Sequence, residues 1–220
     1  AHTGVLFLDE MPEYKRDTLE TLRQPLEDGV ITVSRVESSV EYPANFTLIA
    51  SMNPCPCGNY GSRDKECKCT PTAIHKYLSK LSGPLMDRID MHIFVRAVES
   101  ELLVGDTVEE ESEVIAQRVR KARDIQRERL KDCDIYTKAQ MNAAQIREFC
   151  QIDEPSKLFL NKAITKLGLS ARAYSRILKL SRTIADLDGN PQISLKNISE
   201  AIQYRNLDRD TNKKKKKREN

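Results

Sequence analysis

The chain has 220 residues, enough for one large domain or two smaller ones with a buried core. Charged residues make up 31% of the chain, but the net charge is only +3. No run of 18 apolar residues occurs in the sequence, which argues against a membrane-spanning helix. We expect no export signal, and therefore a cytoplasmic protein whose six cysteines are reduced or bound to metal.

The first predicted element is a strand that ends in two carboxylates. Residues 4–8 are typical of a strand buried on both faces of a parallel sheet, and Asp9 and Glu10 follow at once. Ligands of α/β folds lie at the carboxyl ends of such strands. There, one acid can hold Mg²⁺ while the next polarises the water that attacks a γ-phosphate, as nucleoside triphosphatases require. The alternative is an acidic loop without chemistry.

The chain then continues in a mixed α/β pattern up to about residue 98. A helix is predicted over residues 17–28, with a kink or break at Pro25 and an end at Gly29. The next predicted elements are a hairpin over residues 30–42, a strand over 46–51, a short helix over 73–81 and a strand over 91–95.

Asn53 follows the second of these buried strands. If that strand lies beside the first, the Asn53 amide comes next to Asp9 and Glu10, where it can orient the attacking water. An Asn-Pro pair after a strand is otherwise an ordinary turn. The order of the elements, more than the residue itself, favours a catalytic position.

From residue 99 the pattern becomes helical. Ser170 and Ser194 are predicted N-caps, and Gly168 and Gly189 are predicted helix stops. Helices are predicted over residues 109–130, 142–150, 155–167, 170–187 and 194–205. Because these helices are short and amphipathic, we expect them to pack as a bundle of their own. The lysine-rich residues 208–220 predict a disordered basic tail.

A loop over residues 55–70 carries two Cys-x-Cys pairs, which are Cys55 with Cys57 and Cys67 with Cys69. Four thiolates suffice for a tetrahedral structural Zn²⁺ site, although this spacing is tighter than usual. The intervening residues have little apolar content, so metal binding would supply the energy that orders the loop. His75 is a weaker ligand candidate, and the alternative is a flexible loop with free thiols.

Several segments together resemble the magnesium-chelatase-like AAA+ ATPases of the ComM/YifB type, and the resemblance extends over about residues 1–207. The matching segments are GVLFLDEMPEY (4–14), LRQPLEDGVITVSR (22–35), LIASMNPCPCG (48–58), SGPLMDRIDMHI (82–93) and LSARAYSRILKLSRTIADL (169–187). The resemblance implies that the first strand is the Walker B motif. Asp9 would then be the Mg²⁺ partner, Glu10 the catalytic base and Asn53 the sensor-1 residue.

Two arginines also receive roles from the resemblance. Arg88 would be the arginine finger that reaches the γ-phosphate of a neighbouring subunit, and Arg172 would be sensor 2 in its own subunit. A planar, permanently charged guanidinium suits the charge spread over phosphate oxygens. The alternatives are a salt bridge of Arg88 with Asp87 or Asp90, and a sensor-2 role for Arg176, one turn after Arg172.

The implied fold is α/β plus α, with the carboxyl-terminal part of an AAA+ P-loop core in residues 1–98 and a helical lid bundle in residues 99–207. The phosphate-binding sequence G-x-x-x-x-G-K-[ST] occurs nowhere in the 220 residues. We therefore expect a truncated core, ATP and Mg²⁺ as cofactors of the parent protein, and weak or no nucleotide binding by this chain alone.

The resemblance implies a hexameric ring that acts as an ATP-driven motor on DNA, in branch migration and transformation. Arg35 near the hairpin tip and the run Lys213–Lys217 are the positive groups that could meet nucleic acid, and both are weak support. The alternatives are a chelatase-type or protein-remodelling motor and a non-enzymatic zinc-ordered adaptor. The cysteine loop argues against the chelatase-type motor.

Overall fold

The computed structural model describes residues 1–35, 38–62, 65–95 and 110–205. The chain divides into two compact units, Ala1–Ile89 and Asp90–Asn220. The first unit is mixed α/β and the second is helical, in agreement with the predicted α/β plus α class. None of the helices in the described ranges is long and apolar enough to cross a membrane.

The first unit contains four strands and four short helices among its described residues. They are β1 (Val5–Leu8), α1 (Arg16–Glu20), α2 (Arg23–Asp28), β2 (Val30–Arg35), β3 (Ser38–Pro43), β4 (Thr47–Ala50), α3 (Pro71–Leu78) and α4 (Gly83–Met86). A 3-10 turn, Met11–Glu13, follows β1.

The two predicted buried strands are neighbours in a parallel sheet. β1 pairs with β4 in a register that runs from Val5 opposite Thr47 to Leu8 opposite Ala50. The prediction that β1 is buried on both faces is wrong, since Val5 and Phe7 are each 59% exposed. The prediction that β4 is buried is also wrong, since Ile49 is 49% exposed. Within the part of the chain that the structure describes, β4 is the strand that pairs with β1, and one face of the pair is left open.

β2 and β3 form the predicted antiparallel hairpin, and α2 leads into it. Gly29 ends α2 with φ of 68°, a conformation that strains residues with a side chain, and an added Cβ would lie 2.2 Å from the Asn45 Oδ1, so glycine is favoured here. The predicted helix break occurs before Pro25 instead of at it. Pro25 lies in the first turn of α2, where its missing N–H is not needed.

The second unit is built around one long buried helix. Its helices are α5 (Ser112–Leu130), α6 (Ala143–Phe149), α7 (Glu154–Leu167), α8 (Ala171–Leu187) and α9 (Leu195–Gln203). α8 packs against α5, α6 and α9, and its Ala173, Ile177 and Ala185 are fully buried. The helices that the sequence predicts over residues 142–150, 155–167, 170–187 and 194–205 thus correspond to α6, α7, α8 and α9.

The predicted helix ends of this unit are confirmed. Ser170 and Ser194 accept hydrogen bonds from the backbone amides of Ala173 and Asn197, which satisfies donors that the first helical turn leaves unpaired. Gly168 and Gly189 follow α7 and α8 with φ of 65° and 70°.

A buried carboxylate joins three helical segments of this unit. Asp186 on α8 accepts two hydrogen bonds of 2.7 Å from Arg129, a bond of 3.0 Å from Arg182 Nε, and an ion pair with Lys138. Its side chain is fully buried. Burial by itself would raise the pKa of Asp186, but the hydrogen bonds from Arg129 and Lys138 outweigh it and hold the pKa below its ordinary value.

Three expectations from the sequence are not matched or fall outside the described ranges. Residues 91–95 were predicted as a strand, but they form irregular chain, and Ile93 and Val95 are largely exposed. They do not form a strand because no neighbouring strand among the described residues offers them the hydrogen bonds of a β-ladder. The predicted domain boundary after residue 98 and the tail over residues 208–220 lie outside the described ranges and stay predictions.

Candidate functional site

The acidic pair lies at the carboxyl edge of the two parallel strands. The pairing of β1 with β4 continues beyond both strands, because Ser51 N donates to Leu8 O at 2.9 Å and Met11 N donates to Ser51 O at 2.9 Å. Asp9 is thereby placed beside Ser51, whose Oγ donates a short hydrogen bond to Asp9 Oδ1. The Asp9 carboxylate is therefore fixed in orientation by a hydroxyl from the neighbouring strand.

Glu10 adopts an unusual backbone conformation. Its φ and ψ are both 48°, in the left-handed region, which costs a residue with a side chain about 1–2 kcal/mol. Its N–H donates to Asp9 Oδ1 at 3.1 Å and lies 3.2 Å from Ser51 Oγ, so hydrogen bonds offset part of this strain. The side chain itself is exposed. An abrupt turn after the strand thus presents the second carboxylate to solvent.

Asn53 lies two residues after Ser51 at the same edge, so the strand pairing brings it to the side of the sheet where Asp9 and Glu10 lie. Its side chain is exposed, and its Oδ1 would lie 3.9 Å from a Cβ added to Gly58. The sequence-based expectation about the neighbouring strands is thus met, while the catalytic roles of these residues stay predictions.

Tyr77 on α3 is a further side chain at this edge. It is only 6% exposed. Burial raises the pKa of Tyr77, and the negative charges of Glu13 and Glu10 act in the same direction, while a hydrogen bond with the Asn53 backbone opposes them. The Tyr77 hydroxyl therefore lies close to the backbone of Asn53.

The four cysteines of the loop converge. The Sγ atoms of Cys55 and Cys57 are 3.4 Å apart, those of Cys57 and Cys67 3.6 Å, and those of Cys55 and Cys67 3.7 Å. With Cys69 included, all four lie within 4.8 Å of one another. In a tetrahedral site with Zn–S bonds of about 2.3 Å, the sulfur atoms are about 3.8 Å apart. This geometry fits a four-thiolate metal centre, to which His75 does not belong.

The thiols differ in acidity. A hydrogen bond from the Asn59 backbone, with further hydrogen bonds from Cys55 and Cys69, lowers the pKa of Cys57 to about 6. The hydrogen bond with Cys57 raises the pKa of Cys69 to about 12, because Cys69 keeps its proton while Cys57 carries the charge. Cys57 is therefore a thiolate at neutral pH, the form that binds metal.

Arg88 is held by its own unit. Its Nε donates to the Arg23 carbonyl at 3.1 Å, one terminal nitrogen donates to the Pro84 carbonyl at 2.6 Å, and the other pairs with Glu27 at 2.6 Å. The side chain is 9% exposed. The anionic partner of Arg88 is thus a glutamate of α2, which the sequence analysis did not consider.

Arg172 and Arg176 lie one turn apart on α8. Arg176 forms a short ion pair with Asp90 and is 19% exposed, whereas the side chain of Arg172 is exposed. Asp90 belongs to the same unit as α8. The structure thus gives Arg176 an acidic partner within its own unit and places Arg172 at the surface.

Comparisons with known proteins identify the family. A family model described as magnesium chelatase, subunit ChlI, matches residues 1–103, and a second, described as the ChlI C-terminal part, matches residues 109–205. The chain belongs to the magnesium-chelatase-like family. The resemblance deduced from the sequence motifs is thereby confirmed.

Individual relatives from this family differ in their similarity. The chain is 45% identical over 208 residues to Competence protein ComM of Haemophilus influenzae and 40% identical over 210 residues to Uncharacterized protein YifB of Escherichia coli. It is 26% identical over 203 residues to the chloroplastic magnesium-chelatase subunit ChlI-2 of Arabidopsis thaliana. These matches cover 93%, 95% and 92% of the chain, but only 39%, 40% and 42% of the three relatives.

Sequence reasoning missed three residues that contact the candidate site residues. Ser51 comes directly after β4, and this position was a usable signal for a partner of Asp9. Tyr77 and Glu27 gave no such signal, because their contacts with Asn53 and Arg88 join segments far apart in the chain.

Proposed function

We propose that this chain is the carboxyl-terminal part of a ring-forming AAA+ ATPase, with a truncated P-loop core followed by a helical lid. The observation that carries the proposal is the placement of Asp9, Glu10 and Asn53 at one carboxyl edge of the paired strands β1 and β4. Two carboxylates and an amide at such an edge match the needs of phosphoryl transfer to water.

Each residue at the edge has a distinct proposed role. Asp9, oriented by Ser51, would hold Mg²⁺ through its water shell, and this ion would neutralise charge on the phosphates of ATP. Glu10 would polarise the attacking water, for which its exposed carboxylate is suited. Asn53 would orient the same water through its amide.

The two arginines would complete the site in the assembled hexamer. For Arg88 to act on a neighbouring subunit's ATP, the γ-phosphate would replace Glu27 as its anionic partner, while the Arg23 and Pro84 carbonyls keep the guanidinium oriented. Arg172 would act as sensor 2 within its own subunit, as the family resemblance implies, and its exposed position suits contact with a ligand.

The loop cysteines would hold a structural Zn²⁺ ion. Cys55, Cys57, Cys67 and Cys69 provide four sulfur ligands at distances that suit tetrahedral zinc, and one of them is ionised at neutral pH. Zinc would supply the folding energy that a loop with so few apolar residues lacks. Cysteines that form no disulfide fit the reducing cytoplasm, where we place the protein.

DNA is the proposed substrate of the motor. This substrate follows from the resemblance to ComM-type members, since the chain is 45% identical to a protein named as a competence protein and 26% identical to a magnesium-chelatase subunit. The side chain of Arg35 and the run Lys213–Lys217 lie outside the described residues and add no structural support. A chelatase-type motor is the second candidate, favoured by the descriptions of the two matching family models.

The deciding experiment measures ATP hydrolysis by the full-length protein with and without single-stranded and branched DNA. We expect DNA to stimulate hydrolysis, and we expect Glu10→Gln to abolish both the basal and the stimulated rate. Hydrolysis that depends on Glu10 but is indifferent to DNA would contradict the DNA motor and favour the chelatase-type candidate. No hydrolysis in any condition would contradict the ATPase proposal itself.

A further inference from the structure

We propose that the four-cysteine metal site positions Asn53 for ATP hydrolysis, so that metal binding controls the catalytic rate without taking part in the chemistry. The inference rests on the proposed function, because it assigns a task to a residue of that ATPase site. It is carried by the way two separate segments connect the cysteine cluster to the edge of the sheet.

The first connection is the chain itself. Asn53 is followed by Pro54, the fully buried Cys55, Pro56 and Cys57, so two metal ligands come within four residues of the amide. Each proline ring fixes one backbone dihedral, which leaves this stretch few ways to bend. A metal that fixes the two sulfur atoms therefore also restricts the backbone of Asn53.

The turn that follows brings the cluster back against the Asn53 side chain. Gly58 has φ of 78°, and its N–H donates to the Cys55 carbonyl at 3.0 Å, closing a tight loop around the first two cysteines. A Cβ at Gly58 would lie 3.9 Å from Asn53 Oδ1. Gly58 itself has no Cβ, but its Cα lies one bond from that position, so the loop passes near the amide oxygen.

The second connection runs through α3. Thr70, next to the ligand Cys69, caps α3 by accepting a hydrogen bond of 3.2 Å from Ala73 N. Near the other end of α3, the buried Tyr77 reaches the backbone of Asn53. The metal site therefore anchors both the segment that carries Asn53 and the helix that packs against it.

The same helix end also reaches the acidic turn. Lys80, just beyond α3, forms an ion pair of 3.3 Å with Glu13, and Glu13 N donates to the Glu10 carbonyl at 2.8 Å. Without metal, the four sulfur atoms have no common ligand, and a loop with few apolar side chains has little else to order it. Loss of the metal should then release Asn53, while Asp9 stays fixed by Ser51.

The expected kinetic effect is a fall in kcat with nearly unchanged ATP affinity. Misplacing a catalytic group by about 1 Å costs about 10²-fold in rate. We therefore expect kcat to fall about 10- to 100-fold on metal removal. Binding of Mg-ATP should change by less than about twofold, because the phosphate contacts do not pass through the cysteine loop.

The test uses the full-length protein with Cys57→Ser and Cys69→Ser as the altered forms and Cys133→Ser as the matched control. Zinc content by mass spectrometry, Mg-ATP affinity and kcat are measured on each. We expect about one zinc per chain in the wild type and the control, and loss of both zinc and kcat in the two cluster variants. A cluster variant that has lost zinc but hydrolyses ATP with the wild-type kcat would overturn the inference. If that hydrolysis still requires Glu10, the ATPase proposal remains intact.

Two further arms separate positioning from a purely structural role. In wild-type protein stripped by a chelator, Zn²⁺, Co²⁺ and Cd²⁺ should each restore kcat, since any tetrahedral thiolate-bound ion rebuilds the loop. In Asn53→Ala, stripping the metal should lower kcat no further. The positioning role would be overturned if metal removal lowered ATP affinity and kcat together in the wild type. It would also be overturned if metal removal lowered the kcat of Asn53→Ala as much as that of the wild type. Absence of hydrolysis in zinc-loaded wild type would instead contradict the proposed ATPase.

Discussion

Two arginines on one helix illustrate how surroundings separate residues that the sequence leaves equivalent. Arg172 and Arg176 are one turn apart on α8, and the motif alone allows either to act as sensor 2. The structure gives Arg176 an acidic partner, Asp90, and keeps Arg172 exposed. We therefore expect replacement of Arg172 to affect ATP hydrolysis and replacement of Arg176 to affect stability.

We expect Arg172→Ala to lower ATP hydrolysis by the full-length protein about 10²-fold or more. Arg176→Ala should leave hydrolysis within about threefold and cost about 0.5–1 kcal/mol of stability, the range for a partly exposed ion pair. Asp90→Asn should cause the same loss of stability, and the double variant Arg176→Ala with Asp90→Asn should lose no more than either single variant. If hydrolysis fails in Arg176→Ala instead, Arg176 is the sensor.

At the scale of elements, the helical unit depends on one buried carboxylate. Asp186 ties α8 to Arg129 of α5 and to Lys138 of the turn before α6, and Arg182 completes the cluster. Removing the only anion among these residues would leave three cations without their common partner.

We expect Asp186→Asn to destabilise the chain by about 3–5 kcal/mol in urea unfolding at pH 7. Asp124→Asn is the matched control, because Asp124 forms an exposed pair with Arg127, and it should cost less than about 0.5 kcal/mol. A loss below about 1 kcal/mol in Asp186→Asn would show that the cluster contributes little.

The same carboxylate predicts a pH dependence. Because the folded protein lowers the pKa of Asp186, its contribution is fully present above the ordinary aspartate pKa of about 4 and is lost as the pH falls through the lower, folded-state pKa. Wild-type unfolding free energy should therefore drop more steeply than that of Asp186→Asn when the pH is lowered from 5 to about 2. If the unfolding free energies of the wild type and Asp186→Asn fell in parallel with pH, Asp186 would not be the source of this pH dependence.

Local signals predicted most elements, and long-range contacts explain the failures. The helices around Ser170 and Ser194 were predictable because a capping residue and a 3.6-residue period lie within a few positions of each other. Residues 91–95 have the composition of a strand, but composition does not supply a ladder partner. Glu27 lies dozens of residues from Arg88, and Arg129 and Lys138 lie dozens of residues from Asp186, so no local pattern could reveal these ion pairs.

At the scale of the whole molecule, the residues with proposed roles are divided between the two units of the chain. Asp9, Glu10, Asn53 and Arg88 belong to the first unit and Arg172 to the second. The chain also covers only 39–42% of the compared relatives, and its 220 residues contain no phosphate-binding loop. The activity is therefore proposed for the full-length protein, in which every part of the site is present.

The central claim is that Glu10 activates the water for ATP hydrolysis. The most direct test measures hydrolysis and Mg-ATP affinity of full-length Glu10→Gln beside Glu13→Gln, a control that alters the neighbouring carboxylate paired with Lys80. We predict that Glu10→Gln loses about 10²-fold or more of kcat while binding ATP normally, and that Glu13→Gln keeps its rate within a fewfold. Equal rates in Glu10→Gln and the wild type would contradict the account.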